Sequence, residues 1–415
     1  MITLYVLFLM ASSRKHTLAD AARFSNSSKS RFHSFLKNND DIATSSLTNL
    51  SKRLSRQVAK VQQGLSSCKL PWKYAISIDA TIQRRSSLHT QNSKRFNHGK
   101  GFVIGHQWTN IVLHINDKII PLPPIPFFTR KYCRHAGIEY QTENTRVAEY
   151  LRQLDLKEYI GPHAPEEVVV LADSGYDDHN IQKVIACKKW KFIIALKSSR
   201  SVKTLTTYDS TNKTKAWQSV AVAFKNNRRI GWKTIRAPKS SGKKKWMEFR
   251  VRQITGYLKN FGKAQLICSQ YKTRSNNGSR KHLGCNDLKA SAKQIVVGYR
   301  LRWAIEIFHK NIKMLLGFED VSAKWFSSVV SHVHWVYCAY ILMNSAPPGF
   351  SIGESNSMVE KQLMVNDVIQ NKKLSLVNQL LTQANGAKRL KMLLKQALTG
   401  GVSFNSHTLH GLMGL

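Results

Sequence analysis

Four polar residues stand three, four and seven positions apart in the stretch YRLRWAIEIFHKNIK: Tyr299, Arg302, Glu306 and Lys313. At about 100° per residue a helix would gather them within an arc of roughly 60°. One face would then carry a phenol, a guanidinium, a carboxylate and an ammonium. Leu301, Ile305, Phe308, Ile312, Leu315 and Leu316 recur at the three-and-four spacing of a core-facing stripe, which turns the polar face toward a cleft. A carboxylate flanked by two cations suits a metal ion and nucleic-acid phosphates, although the same spacing also fits a solvated face laced with ion pairs.

Two aspartates stand where strands end. AISIDA reads as a buried strand closing on Asp79. GFVIGHQW and NIVLHINDKIIPL then read as a meander with a turn at Asn116-Asp117. A Pro-rich loop leads to a helix over TENTRVAEYLRQL, capped by Thr142 or Asn144. Val168 to Ala172 is a continuous apolar strand with Asp173 at its C-terminal end; a helix follows, and Phe192 to Leu196 is the next strand. This is a βαβ unit, and ligands bind beyond the carboxyl ends of such strands. Each aspartate could merely cap a turn, and Glu306 could be a surface ion-pair partner. If the three acids converge, mutual repulsion raises their pKa values unless cations intervene. Mg²⁺ is the hard, oxygen-preferring candidate; two ions could activate a water or a 3′ hydroxyl and stabilise the leaving oxygen, and Mn²⁺ could substitute.

Composition points to the substrate. Sixty-four Lys and Arg against 24 Asp and Glu give the 415-residue chain a formal net charge of +40, spread along its whole length. Such a charge repels itself unless a polyanion neutralises it, and DNA or RNA is the natural partner. With 42% hydrophobic residues the chain is not generally disordered. No long basic amphipathic helix is present to lie on a membrane. Six dispersed cysteines without a CxxC pair indicate neither a zinc site nor a disulfide framework, and fit a reducing cytoplasm.

The flanking regions are less specific. MITLYVLFLM is too short to span a bilayer and reads as a buried helix in preference to a signal-peptide core. TLADAARFSNSSKSRFHSFLKN reads as helix, polar turn, helix. That is either a helix-turn-helix presenting Lys29, Arg31 and His33 to DNA or an ordinary αα-hairpin. Between Ser198 and Asp287 the segments SVAVAF, EFRVRQITGYL and KAQLICS read as strands of an inserted module with basic tips at PKSSGKKKW and KTRSNNGSRKH. Past Pro347 the chain reads as polar and helical.

Tyr299, Arg302, Glu306 and Lys313 resemble the Y-x2-R-x3-E-x6-K signature of DDE transposases of bacterial insertion sequences, in the family named after the fourth such element. The similarity extends over SIDAT at Asp79, the meander, and VVVLADSGYDD at Asp173, from about residue 70 to 345. Asp79-Ala80-Thr81 departs from the family's frequent Asp-[Asp/Gly/Ser]-Thr. The resemblance implies an α/β fold: an RNase H-like catalytic core with a mostly β insertion, plus helical N-terminal and C-terminal regions. The divisions would be a helical region 1–70, core 71–197, insertion 198–290, core 291–346 with the Glu helix, and helical region 347–415. Asp79, Asp173 and Glu306 would hold the metals, and Tyr299, Arg302 and Lys313 would contact DNA. Trp217, Trp232 and Trp246 would be candidates to stack on a flipped base, although each fits a core role as well. The implied activity is cut-and-paste transposition by a homodimer, cleaving at terminal inverted repeats and joining the ends to target DNA in the bacterial cytoplasm. Two rival readings are an RNase H-like nuclease or resolvase without strand transfer, and a non-catalytic DNA-binding repressor derived from a transposase. The intact acids argue against the second.

Overall fold

The computed structural model describes residues 1–12, 15–60, 70–99, 101–116, 118–204, 217–227, 230–238, 246–272, 277–344, 362, 365–367, 369 and 371. The basic tip PKSSGKKKW and the C-terminal helices read from the sequence fall largely outside these residues; of KTRSNNGSRKH only residues 273–276 do, and its remainder enters a strand at Asn277–Cys285. The chain divides into two units.

One unit comprises Met1–Ser46, His89–Gln91 and Asn311–Leu415. Its described part is helical. The apolar run at the N-terminus forms the helix Ile2–Ala11, in which Tyr5, Phe8 and Leu9 are buried. Leu18–Ser25 and Lys29–Lys37 follow, separated by Asn26 in the left-handed region and capped by Thr17 and Ser28. Phe35 stacks on Trp335 of the helix Phe326–Asn344, and Tyr5 Oη lies 2.8 Å from His332 Nδ1. That last helix is long and apolar enough to cross a membrane, but 83% of its most apolar window is buried inside the protein, as in a core helix.

The other unit, Leu47–Leu88 and Asn92–Lys310, carries the sheet. Its described strands are β1 Tyr74–Arg84, β2 Lys94–His98, β3 Gly101–Ile115, β4 Lys118–Pro121 and β5 Ile125–Pro126. After a helix at Glu143–Gln153 come β6 Val168–Ala172, the helix His179–Cys187 and β7 Lys191–Leu196. Strands β8 Ser201–Thr204, β9 Gln218–Ser219, β10 Lys233–Pro238, β11 Trp246–Leu258, β12 Gly262–Lys272 and β13 Asn277–Cys285 complete it. The order is β2-β3-β1-β6-β7-β13-β12-β11-β8-β9, with β10 on β11 and with β4 and β5 on β3. Among the described strands only β1–β6 and β6–β7 pair in parallel, the second as the βαβ pattern requires; β13 returns antiparallel to β7 and joins the inserted strands to the same sheet. All five residues of β6 are buried, which is why that strand reads as unbroken apolar sequence.

Four expectations need correction. Asp79 lies in the middle of β1 and not at its end, because antiparallel pairing with β3 continues to Arg84 after the parallel pairing with β6 has stopped. GFVIGHQW and NIVLHI form one continuous 15-residue strand. SVAVAF is helical over Val220–Asn226: Ser219 caps Val222, and Val220, Ala223 and Phe224 are buried at helical spacing, so packing overrides the β propensity of valine. Finally, Tyr299 to Lys313 is two helices, Ala292–Arg300 and Trp303–Leu315, joined by a tight turn.

Candidate active site

The parallel ladder between β1 and β6 ends at the pair Ile78 and Ala172, and the next residue on each strand is an aspartate, Asp79 and Asp173. Adjacent strands therefore deliver two carboxylates to the C-terminal edge of the ladder, where the β1 and β6 chains part. Asp173 opens a short turn in which Tyr176 N–H donates to its carbonyl at 3.0 Å. The Asp79 carboxylate accepts from Ala80 N–H at 3.0 Å.

The joint between the two helices supplies the rest. The backbone N–H groups of Leu301, Arg302, Ala304 and Ile305 donate to carbonyls three residues back, at 3.0–3.1 Å, a tighter winding than an α-helix. Arg302, only 8% exposed, is turned inward there. Its Nη1 donates to Asp79 Oδ2 at 3.0 Å and its Nη2 to Glu306 Oε1 at 2.5 Å. Tyr299, at the end of the first helix, directs its hydroxyl to Asp173 Oδ1 at 3.5 Å, with the Arg302 guanidinium 5.7 Å from its ring. Burial raises the Asp79 pKa from 3.8 to about 6; Arg302 and the Ala80 N–H act against the rise, and Asp173 and Glu306 add to it. Burial also pushes the Tyr299 phenol up, so it serves as a donor. For Arg302 burial works against the charge, yet its neighbours, Asp79 and Glu306 among them, outweigh it and keep the guanidinium protonated.

Residues 136–342 match the family described as the transposase DDE domain. The match supports a DDE transposase. Chemistry of the polynucleotidyl transferase and endonuclease kind goes with that domain, and the large mixed sheet agrees with its RNase H-like fold. Asp173, Tyr299, Arg302, Glu306 and Lys313 fall inside the matched residues, while Asp79 precedes them and is tied to the DDE domain through the β1–β6 ladder and Arg302. No curated protein matches the chain.

DDE transposases generally use divalent metal ions. The donor chemistry here fits a hard cation, since three carboxylates face a partly buried centre and burial among them has already raised one. Among the described residues, however, no group of three His, Cys, Asp or Glu side chains is arranged to hold a metal, and Arg302 bridges Asp79 and Glu306.

The region that matches the family has a further buttress, one that the sequence pattern does not announce. Glu143 Oε2 accepts from Gln107 Nε2 at 2.6 Å, and its Oε1 accepts from Thr109 Oγ1 and from Tyr176 Oη, each at 2.7 Å. It thereby ties β3, which pairs with the Asp79 strand, to the turn after Asp173. The available signal was a carboxylate placed directly after the capping Thr142. Asn110, opposite Asp79 on β3, lies 2.7 Å from His309 Nε2.

The remaining candidates have other surroundings, each described within its own unit. Lys313 belongs to the other unit, where its Nζ is 3.3 Å from Glu319 Oε1. Trp217 and Trp246 are exposed at the starts of β9 and β11. Trp232 is half-buried, with the guanidiniums of Arg250, Arg252 and Arg280 at 5.2, 5.6 and 5.8 Å from its ring. Lys29 and Arg31 are exposed on the Lys29–Lys37 helix.

Proposed function

We propose that this protein is a cut-and-paste DNA transposase of a bacterial insertion sequence, hydrolysing phosphodiester bonds at its element ends and joining the freed 3′ hydroxyls to target DNA. The observation that carries this reading is that Arg302 joins Asp79 to Glu306 and Tyr299 meets Asp173 at the end of the parallel ladder. Asp79, Asp173 and Glu306 would hold the metal. When bound, Mg²⁺, or Mn²⁺ in its place, would supply Lewis-acid activation of a water or 3′ hydroxyl and stabilise the leaving oxygen. Arg302 presents a guanidinium that can exchange a carboxylate for a backbone phosphate, to which its planar fork is equally matched. Tyr299, whose hydroxyl lies 3.5 Å from Asp173 Oδ1, would contact DNA beside it. Lys313 and the exposed Lys29 and Arg31 would add phosphate contacts along the terminal inverted repeats, and Trp217, Trp232 or Trp246 would stack on an unpaired base. A homodimer would pair the two ends, with the bacterial nucleoid as target.

The test is cleavage and joining by the purified full chain on duplexes taken from the borders of its gene, with Mg²⁺ supplied. Joined products that require both ends support the transposase. Nicking without joining, indifferent to the border sequence, would make it a nuclease of the same fold.

A further inference from the structure

Between Ala80 and Asn116 the chain contains no Asp or Glu, while Arg84, Arg85, Lys94, Arg95 and Lys100 all fall there. The centre of this acid-free stretch is the β2–β3 hairpin, and β2 is an edge strand of the sheet. Register fixes which way it faces. Asn110 pairs with Asp79, so Asp79 shares a sheet face with every second residue of β3, a set that ends at Phe102. Ile104 pairs with Arg95, which places Arg95 on the same face, and its guanidinium lies 4.8 Å from the Phe102 ring. Phe102 is 58% exposed. On the other face Lys94 is held between Phe96 and Phe127, with Nζ 5.4 and 5.1 Å from their rings.

The hairpin leaves the sheet at Gly105, which pairs with both Arg84 and Lys94. A Cβ there would come within 2.2 Å of the Gln83 carbonyl oxygen, so only glycine lets β3 cross between its two partners. Basic residues on an edge strand also guard against sheet-to-sheet pairing. That role would not call for an exposed phenyl ring under an arginine on the catalytic face.

We infer that the β2–β3 hairpin is an arm that grips duplex DNA beside the catalytic centre, with Arg95 and Phe102 as its contact face. The inference rests on the DNA-cleaving function proposed above. From Asn110 to Phe102 the strand advances at most about 26 Å at ~3.3 Å per residue, which is up to about eight base pairs at ~3.4 Å per step. Arg95 would neutralise a phosphate while the ring packs against the sugar edge, a contact blind to sequence.

The experiment is fluorescence anisotropy of the full-length protein with a random-sequence 30-base-pair duplex (roughly three helical turns) across a salt series. Arg95→Ala with Phe102→Ala should weaken binding about fivefold or more and lower the log–log salt slope by about one. Arg152→Ala, which removes an equal charge from the exposed end of the Glu143–Gln153 helix, should overlay wild type. Arg95→Gln alone should lower the slope without touching the ring, and it stands in if the double variant melts early. Overlay of the arm variants with wild type while wild type binds normally would overturn the arm and leave the DNA reading intact. Failure of wild type to bind any duplex would overturn both. A shift in sedimentation with unchanged binding would make the hairpin a contact between copies of this chain and overturn the proposal.

Discussion

Arg302 and Arg252 are equally buried, each 8% exposed, and each has several partners, yet they are set to opposite tasks. Arg302 bridges the carboxylates of Asp79 and Glu306, groups that the proposed chemistry would need as metal ligands. Arg252, on β11, donates to the main-chain carbonyls of Phe224, Asn227 and Ile230, closing off the C-terminal end of the Val220–Asn226 helix, whose last carbonyls lack partners within the helix. A carbonyl has no alternative occupant, whereas a carboxylate can exchange a guanidinium for a metal. Burial of a charge is thus a structural rivet in the inserted strands and a replaceable counterion at the ladder's end.

The comparison breaks most sharply at Glu306. Glu306→Gln should lower cleavage by about a thousandfold or more, since it removes a metal-binding charge and keeps the shape, with duplex binding retained. Cleavage within tenfold of wild type would detach Glu306 from the chemistry.

Next in size, Arg252→Ala should cost about 3 kcal/mol in urea unfolding by stranding buried carbonyls. Arg302→Ala should cost clearly less and act instead on DNA, lowering the salt slope of binding by about one. Equal losses of stability would erase the distinction between the two arginines.

Asp79→Asn sharpens the electrostatic half. The folded pKa of about 6 lies above the ordinary 3.8, so the charged form is disfavoured by folding. The stability associated with the protonated acid is complete below pH ~4 and is lost as pH rises through 6. The variant, neutral at every pH, should therefore be inactive yet more stable than wild type by on the order of 2 kcal/mol at pH 7.5. That advantage should vanish near pH 4, and thermal melts at the two pH values check it. The smallest effect is expected from Tyr299→Phe, whose hydroxyl is 3.5 Å from Asp173. A bond of that length contributes little, and cleavage should fall less than about threefold.

How far the sequence could be read followed the partners each segment has. β6 is buried throughout and the Glu143–Gln153 helix is capped by Thr142, so local pattern and tertiary role agree there. The three acids and Tyr299 and Arg302, which the structure brings together, stand out in the sequence because their types and spacing persist whatever the backbone does between them. Helical periodicity could not show the tight turn at Leu301 and Arg302, since three-residue winding leaves nearly the same side chains on one side. The passage of β1 beyond Asp79 depends on where β3 lies, and the helical state of Val220–Asn226 depends on Arg252, which donates to its carbonyls, and on His282, which stacks on Phe224; both are remote in sequence. Glu143 gave little warning for the same reason: its donors come from three separate positions along the chain.

The Arg302 to Asp79 ion pair joins residues 223 positions apart. On a ribosome adding about 5–20 residues per second, Arg302 and Glu306 follow Asp79 by roughly 10–45 s. Strands β8 to β13 emerge in that interval, ahead of the helix Trp303–Leu315 that carries Glu306. Under the proposed function, a growing chain therefore carries much of its basic charge long before its three acids can come together, so the order of synthesis separates the residues that would attract DNA from those that would cut it.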